Sequence, residues 1–530
     1  MTSKQPKVFL REATGLVRSV GLLEIVSLNT VNITFGPGIA YILISLATFP
    51  GGDPVLASLI SGLMFIPLGL IYAMMVATMP RSGGDYVFVS RSIHPAVGYM
   101  VNLAFVFWIL FWTGPFVSWI FTTGIGPAFA LAGWLGNNAS VSSWATAVTS
   151  NNSVMGGGIL LLIVLGIVVT LNSRSVYKIL DVCVIAGVVS VAILTIALAV
   201  SSNSDFISKF NSYSATFAGT SDYYHELVSG VSGTGFSWGQ TLALVPIASW
   251  IFLYISNMQS AGGEIKNAKK NSYYAILITV VMGIFFTGLI CYLCQQVMGY
   301  NFLVAAGTTA GNGTWKLPIF PYYDYLAGVV ITNPVLLWMA MILFIGWDVG
   351  IVMNNFVMVP RYLLASSMDR ITPGVFGKVS DRWHTPYVGY IIVVVIGSIM
   401  LCWYVLQGQF FAALSAVLGE LVGCYLLVSI AAIVFPFRTT TKNVFEGGPA
   451  AYKLMGVPVM SIAGVLSTFA CLWLIYYYLV NSAYGTNGFY SLILLGLTTF
   501  GGAAVFAASY LYYRGRGLDL MLAFKQVPPE

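Results

Sequence analysis

The sequence predicts an all-α integral membrane protein with twelve transmembrane helices, and three observations predict it. Of its 530 residues, 58% are hydrophobic and 8% charged, with a mean hydropathy of +0.86; soluble domains carry roughly 25% charged residues. Most of such a chain cannot face water. Apolar runs long enough to cross about 30 Å of hydrocarbon, roughly 20 helical residues, recur along its whole length. Lys and Arg gather between alternate runs, as cytoplasmic loops require.

The runs lie at 20–48, 54–79, 96–132, 155–172, 176–200, 239–262, 272–298, 333–362, 387–406, 409–436, 457–480 and 488–512. Only Asn172 to Ser175 separate the fourth from the fifth, which fits a tight helical hairpin. An amino terminus placed inside leaves only Lys209 and Lys316 outside, out of 23 Lys and Arg. A miscounted helix would scramble that split, so both termini are expected in the cytoplasm and the protein in the plasma membrane.

The chain then divides into a cytoplasmic tail (1–18), helices one to five (19–200), an extracellular loop (201–238), helices six to ten (239–436), a cytoplasmic loop (437–456), helices eleven and twelve (457–513) and a second cytoplasmic tail (514–530). The basic start runs directly into the first span, so no cleaved signal peptide is expected. The net charge of +6 is the excess that orients the helices and calls for no nucleic acid. Asn138, Asn151 and Asn312 each begin an Asn-x-Ser/Thr triplet on the outer side; loops rich in Ser, Asn and Thr also produce such triplets by chance.

All six cysteines lie within spans. Cys291 and Cys294 form a CxxC on a continuous apolar helix without a second pair or a nearby histidine, so they read as packing residues and no metal site is expected. The first span is interrupted by NITFGPGIA (32–40), where Gly36, Pro37 and Gly38 stand together. Proline removes a donor and clashes with the preceding turn. Backbone freed in a bilayer must be buried in protein or line a polar cavity, and carriers use such breaks to aim a half-helix at an anionic group. Glycine and proline also serve as ordinary kinks and packing faces.

Three segments outside the spans bear on that choice. MPRSGGDYVFVSR (79–91) follows the second span, EIKNAKKN (264–271) follows the sixth, and RYLLASSMDRITPGVFGKVSDRWHTPYVG (361–389) joins the eighth to the ninth. In order and spacing they resemble signatures of the amino acid, polyamine and organocation (APC) superfamily of permeases, over roughly residues 15–440. FGPGI takes the place of that family's Gly-Ser-Gly-Ile break. The resemblance implies a leucine-transporter-like fold of two inverted five-helix repeats, with the first and sixth helices broken at midplane and two extra helices at the carboxyl end. Amides of the first break would bind a substrate carboxylate, and carbonyls of the sixth its ammonium.

Carried over residue by residue, the resemblance places Thr34, Gly36, Pro37 and Gly38 at the carboxylate turn, with Pro37 where the family has Ser or Thr. It places Thr113 of the third helix and Trp250, Leu253, Tyr254 and Ser256 of the sixth at the substrate. The small glycine usual in the sixth break is missing here, which weakens the expectation that this helix unwinds. Most aromatics of FVFWILFWTGPFVSW (105–119) read as packing.

Acids inside spans are the other markers, each costing at least about 2.5 kcal/mol at the bilayer centre. Asp348, mid-way along the eighth helix, and Glu420, mid-way along the tenth, are the candidates for ion coupling, through a proton or Na⁺. The bland reading is a protonated acid bonded to a neighbouring helix. Lys178 and Asp181 stand at i and i+3 and can pair; with Glu24 they read as structural or as part of an inner gate. Ser82-Gly83-Gly84 predicts a tight turn into a short helix ending near Arg91. Arg361, with Asp369, Arg370, Asp381 and Arg382 after it, reads either as an anchor or as a set of ion pairs at the inner gate.

An enzyme would need a catalytic constellation, yet His94, His225 and His384 all lie in loops and no HExxH, GxSxG or Walker loop is present; no catalytic residue is assigned. A channel predicts a repeated filter sequence, and a sensor a soluble extension. The reading is a secondary active transporter without a bound cofactor, moving an amino acid across the bilayer by alternating access as a monomer or weak homo-oligomer. Exchange of one amino acid or polyamine for another is the alternative.

Overall fold

Prolines, small residues and capping side chains set the helix boundaries in the computed structural model, which describes residues 18–525 apart from 34, 172, 232–234, 381, 384, 408–409 and 487. The helices are α1 Leu22–Thr30, α2 Pro37–Ile44, α3 Pro54–Thr78, α4 Gly84–Ser92, α5 Pro95–Trp119, α6 Gly126–Leu135, α7 Ala139–Val148, α8 Asn151–Leu171, α9 Ser173–Ala199, α10 Asn203–Phe217 and α11 Tyr223–Ser229. They continue with α12 Trp238–Phe252, α13 Ala268–Met298, α14 Tyr300–Gly311, α15 Tyr323–Gly328, α16 Pro334–Met368, α17 Tyr387–Leu406, α18 Phe410–Val434, α19 Lys442–Glu446, α20 Val459–Val480 and α21 Phe489–Gly515. One two-residue antiparallel pairing, Lys453–Leu454 with Val457–Pro458, is the sheet among the described residues.

Proline opens α2, α3, α5 and α16 at the first position, where its missing amide has no intrahelical partner to lose. Asp53 and Asn333 cap α3 and α16 by accepting hydrogen bonds from the first-turn amides. Among the described residues, ten segments are long and apolar enough to cross a membrane, and α12 and residues 418–434 of α18 are shorter apolar helices. The protein is therefore a multi-span membrane protein. The third span outruns the apolar pattern, continuing from α5 through a wide turn at Ile120–Ile125 into α6. Outer helices turn apolar side chains outward: Leu160, Ile163, Val164 and Ile167 of α8 are exposed, a face suited to lipid.

The centre is built around α16, buried against α9, α5 and α17. Beside it lie two interruptions. Between α1 and α2 the chain passes through a tighter turn at Val31–Ile33. The sixth span ends at Phe252, ten residues before its apolar pattern does, and turns and short 3₁₀ segments carry the chain to Ala268. Helix unwinding needs no glycine here, because the Tyr425 hydroxyl donates to the freed Leu253 carbonyl. The segments around the two interruptions also support each other: the Met258 amide donates to Asn29 Oδ1 at 2.9 Å, the Val20 amide to the Glu264 carbonyl at 3.0 Å, and the Lys266 amide to the Val20 carbonyl at 2.8 Å.

At the end of the bundle that carries α4 and Glu264, polar side chains are buried in matched sets. Arg361 clasps Glu264 bidentately, Nε to Oε1 at 2.6 Å and Nη2 to Oε2 at 3.1 Å, with the Tyr177 hydroxyl between them. Arg91 clasps Asp369 at 2.8 and 3.1 Å, and Tyr86 donates to the same carboxylate at 2.5 Å. Burial alone would lower the Arg91 pKa; the Asp369 carboxylate reverses that and holds the guanidinium charged. Asp85 accepts from Tyr72, Tyr362 and Gln259. Burial pushes its carboxyl up and these three donors push back. Gly83 turns into α4 with φ +83°, and a side chain there would meet Ala365, so the turn requires glycine.

One sequence expectation needs correcting. Asp181 lies near Ser27 and Glu24 of α1, on a helix that packs against α1, and among the described residues no ion pair joins it to Lys178. Arg361 and Asp369 do form ion pairs, but Arg361 takes its partner from the segment after α12 and Asp369 takes its own from α4. Asp381 lies outside the described residues.

Removing one member of a buried pair strands the other charge, a loss of about 3–5 kcal/mol, whereas replacing both is often close to neutral. Arg361→Met is expected to lower the thermal midpoint of the purified protein clearly, and Glu264→Gln in the same chain to recover most of the fall. Equal midpoints for single and double variants would show that the pair does not hold the two segments.

Candidate functional site

The break in the first span is positioned by what packs on it. Thr34 lies outside the described residues. The Phe35 carbonyl accepts a hydrogen bond from the Tyr323 hydroxyl of α15, which satisfies one freed acceptor. Gly36 precedes α2 without a side-chain cap, and Pro37 occupies its first position. The following first-turn amides, Gly38 and Ile39, have no acceptor within the helix. A Cβ on Gly36 would stand 2.5 Å from the Phe344 ring of α16. Glycine is required here by that ring, not by backbone strain, since φ is −87°.

A cavity of about 530 Å³ begins at Pro37 and extends between α2, α5, α12 and the loops that join the spans at the opposite end from the ion pairs. Seven of its seventeen lining side chains are aromatic and, among the described residues, none is charged. Trp112 stacks on Trp250 with centroids 5.3 Å apart and planes 23° off parallel. Tyr41 and Trp119 meet Trp250 edge-on at 5.4 and 5.9 Å. Such offset and edge contacts add about 0.5–1.5 kcal/mol per pair beyond area burial and keep the wall rigid. The Trp112 indole Nε1 is buried without a hydrogen-bond partner. It offers a donor beside the cavity, and the ring faces suit an ammonium group.

The residues singled out from sequence fall into two groups. Pro37 and Trp250 line the cavity, with Gly36 and Gly38 on either side of Pro37. Thr113 faces elsewhere: it donates to Ile109 O at 2.8 Å and accepts from Asn355 Nδ2 of α16 at 2.9 Å. Leu253, Tyr254 and Ser256 form the interruption after α12 and are buried below the cavity wall; the Ser256 hydroxyl has no partner. Sequence reasoning passed over Tyr41, Trp119 and Tyr322. Tyr41 sits one turn past the Gly-Pro-Gly triplet on the face of Pro37, which was the available signal.

The two intramembrane acids differ. Asp348 accepts from Thr123 Oγ1 at 3.0 Å through Oδ2, and its Oδ1 is unpartnered. Thr123 lines the cavity, so the carboxyl stands one side chain behind it. Glu420 accepts from Trp108 Nε1 at 3.0 Å, from Thr499 at 3.2 Å and from Thr498. It ties α18 to α5 and α21 and borders a separate cavity of about 410 Å³ there.

A helical bundle interrupted at its centre, with a ligand-sized cavity at the interruption, has the form of a membrane permease. The chain belongs to the amino acid permease family, whose model matches residues 24–498. No curated protein matches it. Family membership implies a multi-pass transporter rather than an enzyme, of amino acid transport across a membrane and with a small-molecule substrate.

Gly36→Ala is expected to weaken substrate uptake at least tenfold, by driving Phe344 away or opening the turn. Phe344→Ala in the same chain should restore part of it. Uptake unchanged in the single variant would remove the turn from the substrate site.

Proposed function

We propose that the protein is a secondary active carrier that moves a large apolar or aromatic amino acid through the Pro37–Trp250 cavity by alternating access. The observation that carries this reading is the asymmetry of the bundle around the break. One end holds the uncharged, ring-lined cavity reaching Pro37, and the other is shut by two buried bidentate ion pairs. The substrate carboxylate lies against the Gly38 and Ile39 amides at the positive end of α2. Its ammonium meets ring faces and the carbonyls freed after Phe252.

The cavity wall has no charge to neutralise a charged side chain, and burying one unpaired is expensive; a flat or branched apolar side chain fits. Helices 1–5 and 6–10 form two inverted repeats, helices 1, 2, 6 and 7 rock against the remainder, and inward opening parts Arg361 from Glu264 and Arg91 from Asp369. Twelve spans with both termini in the cytoplasm fit the distribution of Lys and Arg, and the proposed location is the plasma membrane. Accumulation draws on a proton or Na⁺ gradient, with Asp348 the nearer of the two acids.

The test is uptake of labelled amino acids and polyamines into proteoliposomes, with an imposed proton gradient, an imposed Na⁺ gradient, or unlabelled substrate trapped inside. Accumulation of phenylalanine, tryptophan or leucine under one gradient is the expected result. Uptake seen only with trapped substrate makes the protein an exchanger, and preferred uptake of lysine or putrescine overturns the substrate class. Trp250→Ala removes the ring shared by three aromatic contacts and is expected to raise KM for an aromatic substrate about tenfold or more while shifting KM for alanine much less. Equal shifts for both would place Trp250 outside side-chain recognition.

A further inference from the structure

Between the α13 and α16 spans, α15 carries an acid that the cavity does not use. Asp324 is 1% exposed, and neither carboxylate oxygen receives a hydrogen bond of good geometry. Its neighbour Tyr323 donates to the Phe35 carbonyl at the first break and packs edge-on against Phe344 at 6.2 Å. α15 is thus the brace of the interrupted helix. A carboxylate charged in such a place would be buried with little to compensate it.

The elements packed against α15 are α2, α6, α9 and α16. Among the described residues, α2, α6 and residues 182–199 of α9 supply Tyr41 and Cys183 as their titratable groups and no cation. Asp348 of α16 interacts electrostatically with Asp324, as do Tyr322 and Tyr323 beside it. Lys209, on α10, is engaged elsewhere, donating to the Val330 carbonyl at 2.9 Å. Burial pushes the Asp324 carboxyl up to about 8, and the nearby amides of Asp324 and Tyr325 offset this only in part. Both oxygens of Asp324 and one of Asp348 lack a hydrogen-bond partner, so each acid is buried with its charge poorly compensated.

We propose that Asp324 binds the coupling proton of transport: it is protonated while α15 is seated on Phe35, and it releases the proton when the first helix moves and lets water or Asp348 reach it. The step is a proton leaving Asp324 Oδ for water or for the Asp348 carboxylate, with no other bond changed. The inference rests on the carrier reading above and assigns its coupling ion. It also links coupling to the substrate through the break itself, since Tyr323 bonds the residue before Gly36.

The experiment compares wild type with Asp324→Asn, a neutral mimic of the protonated acid, in proteoliposomes loaded with trapped substrate or given a pH gradient. The ratio of gradient-driven to exchange uptake is expected to fall at least tenfold in the variant; an unchanged ratio overturns the proposal. Wild type inactive in both assays would instead overturn the carrier reading. A second readout covers a variant inert in both. A raised carboxyl pKa means stability is lost as pH rises from the unfolded value toward the folded one, so the wild-type thermal midpoint should fall between about pH 5 and 8 more steeply than that of Asp324→Asn. Parallel midpoints across that range overturn the proposal as well.

Discussion

Unpaired backbone has no place in hydrocarbon, and this fold depends on how it meets that constraint at two interrupted helices. Each unsatisfied amide or carbonyl in a bilayer costs several kcal/mol, so an interruption persists only where something answers it. Here the answers come from tyrosine hydroxyls and an asparagine. Tyr323 takes the Phe35 carbonyl, Tyr425 takes Leu253, and Asn29 takes the Met258 amide. Tyrosine suits the task because an apolar ring can cross the packed interior and end in a single polar atom. The amides left over, at the start of α2, are those a ligand can use.

The two ends of the bundle follow from the same constraint applied to charge. Arginine and carboxylate buried without partners would be ruinous, yet matched bidentate pairs can be taken apart and rebuilt without leaving a half-satisfied state in hydrocarbon, provided water enters as they part. Arg361 with Glu264 and Arg91 with Asp369 join separate segments: the long central helix to the loop after the sixth span, and the short helix after the second span to the end of that same central helix. Any opening at that end must separate both. Pairs between segments that move relative to each other act as a latch, which pairs within one helix cannot do.

Much of this was legible in the sequence, and the parts that were not share a cause. Apolar length marked the spans, and Gly36-Pro37-Gly38 marked the first interruption, because proline and glycine act through local backbone geometry. Spacing alone located the turn into α4. The sixth interruption was harder, since no glycine announces it and its support, Tyr425, is 172 residues away. Glu264 and Arg91 stood in recognised segments, but their partners come from elsewhere in the chain, and only the short-range spacing of Lys178 and Asp181 was open to view. Periodicity reports which residues face inward; it does not report what they meet.

The cavity and the acid behind it pull in different directions, and that tension bears on how the carrier works. An uncharged aromatic wall can bind a zwitterion with little electrostatic commitment to the side chain, so affinity must come from shape and from the break. A site of that kind has no charge of its own with which to sense a gradient. Asp348, one threonine behind the wall, and Asp324, on the brace of the break, lie where a change of hydration would alter their charge without any contact with substrate. If substrate binds at the first break, as proposed, it bears on Phe35, Phe35 on Tyr323, and Tyr323 on the helix that buries Asp324. Recognition and protonation would then share one moving part, and either could set the free energy of the other only to the extent that α15 moves with the interrupted helix.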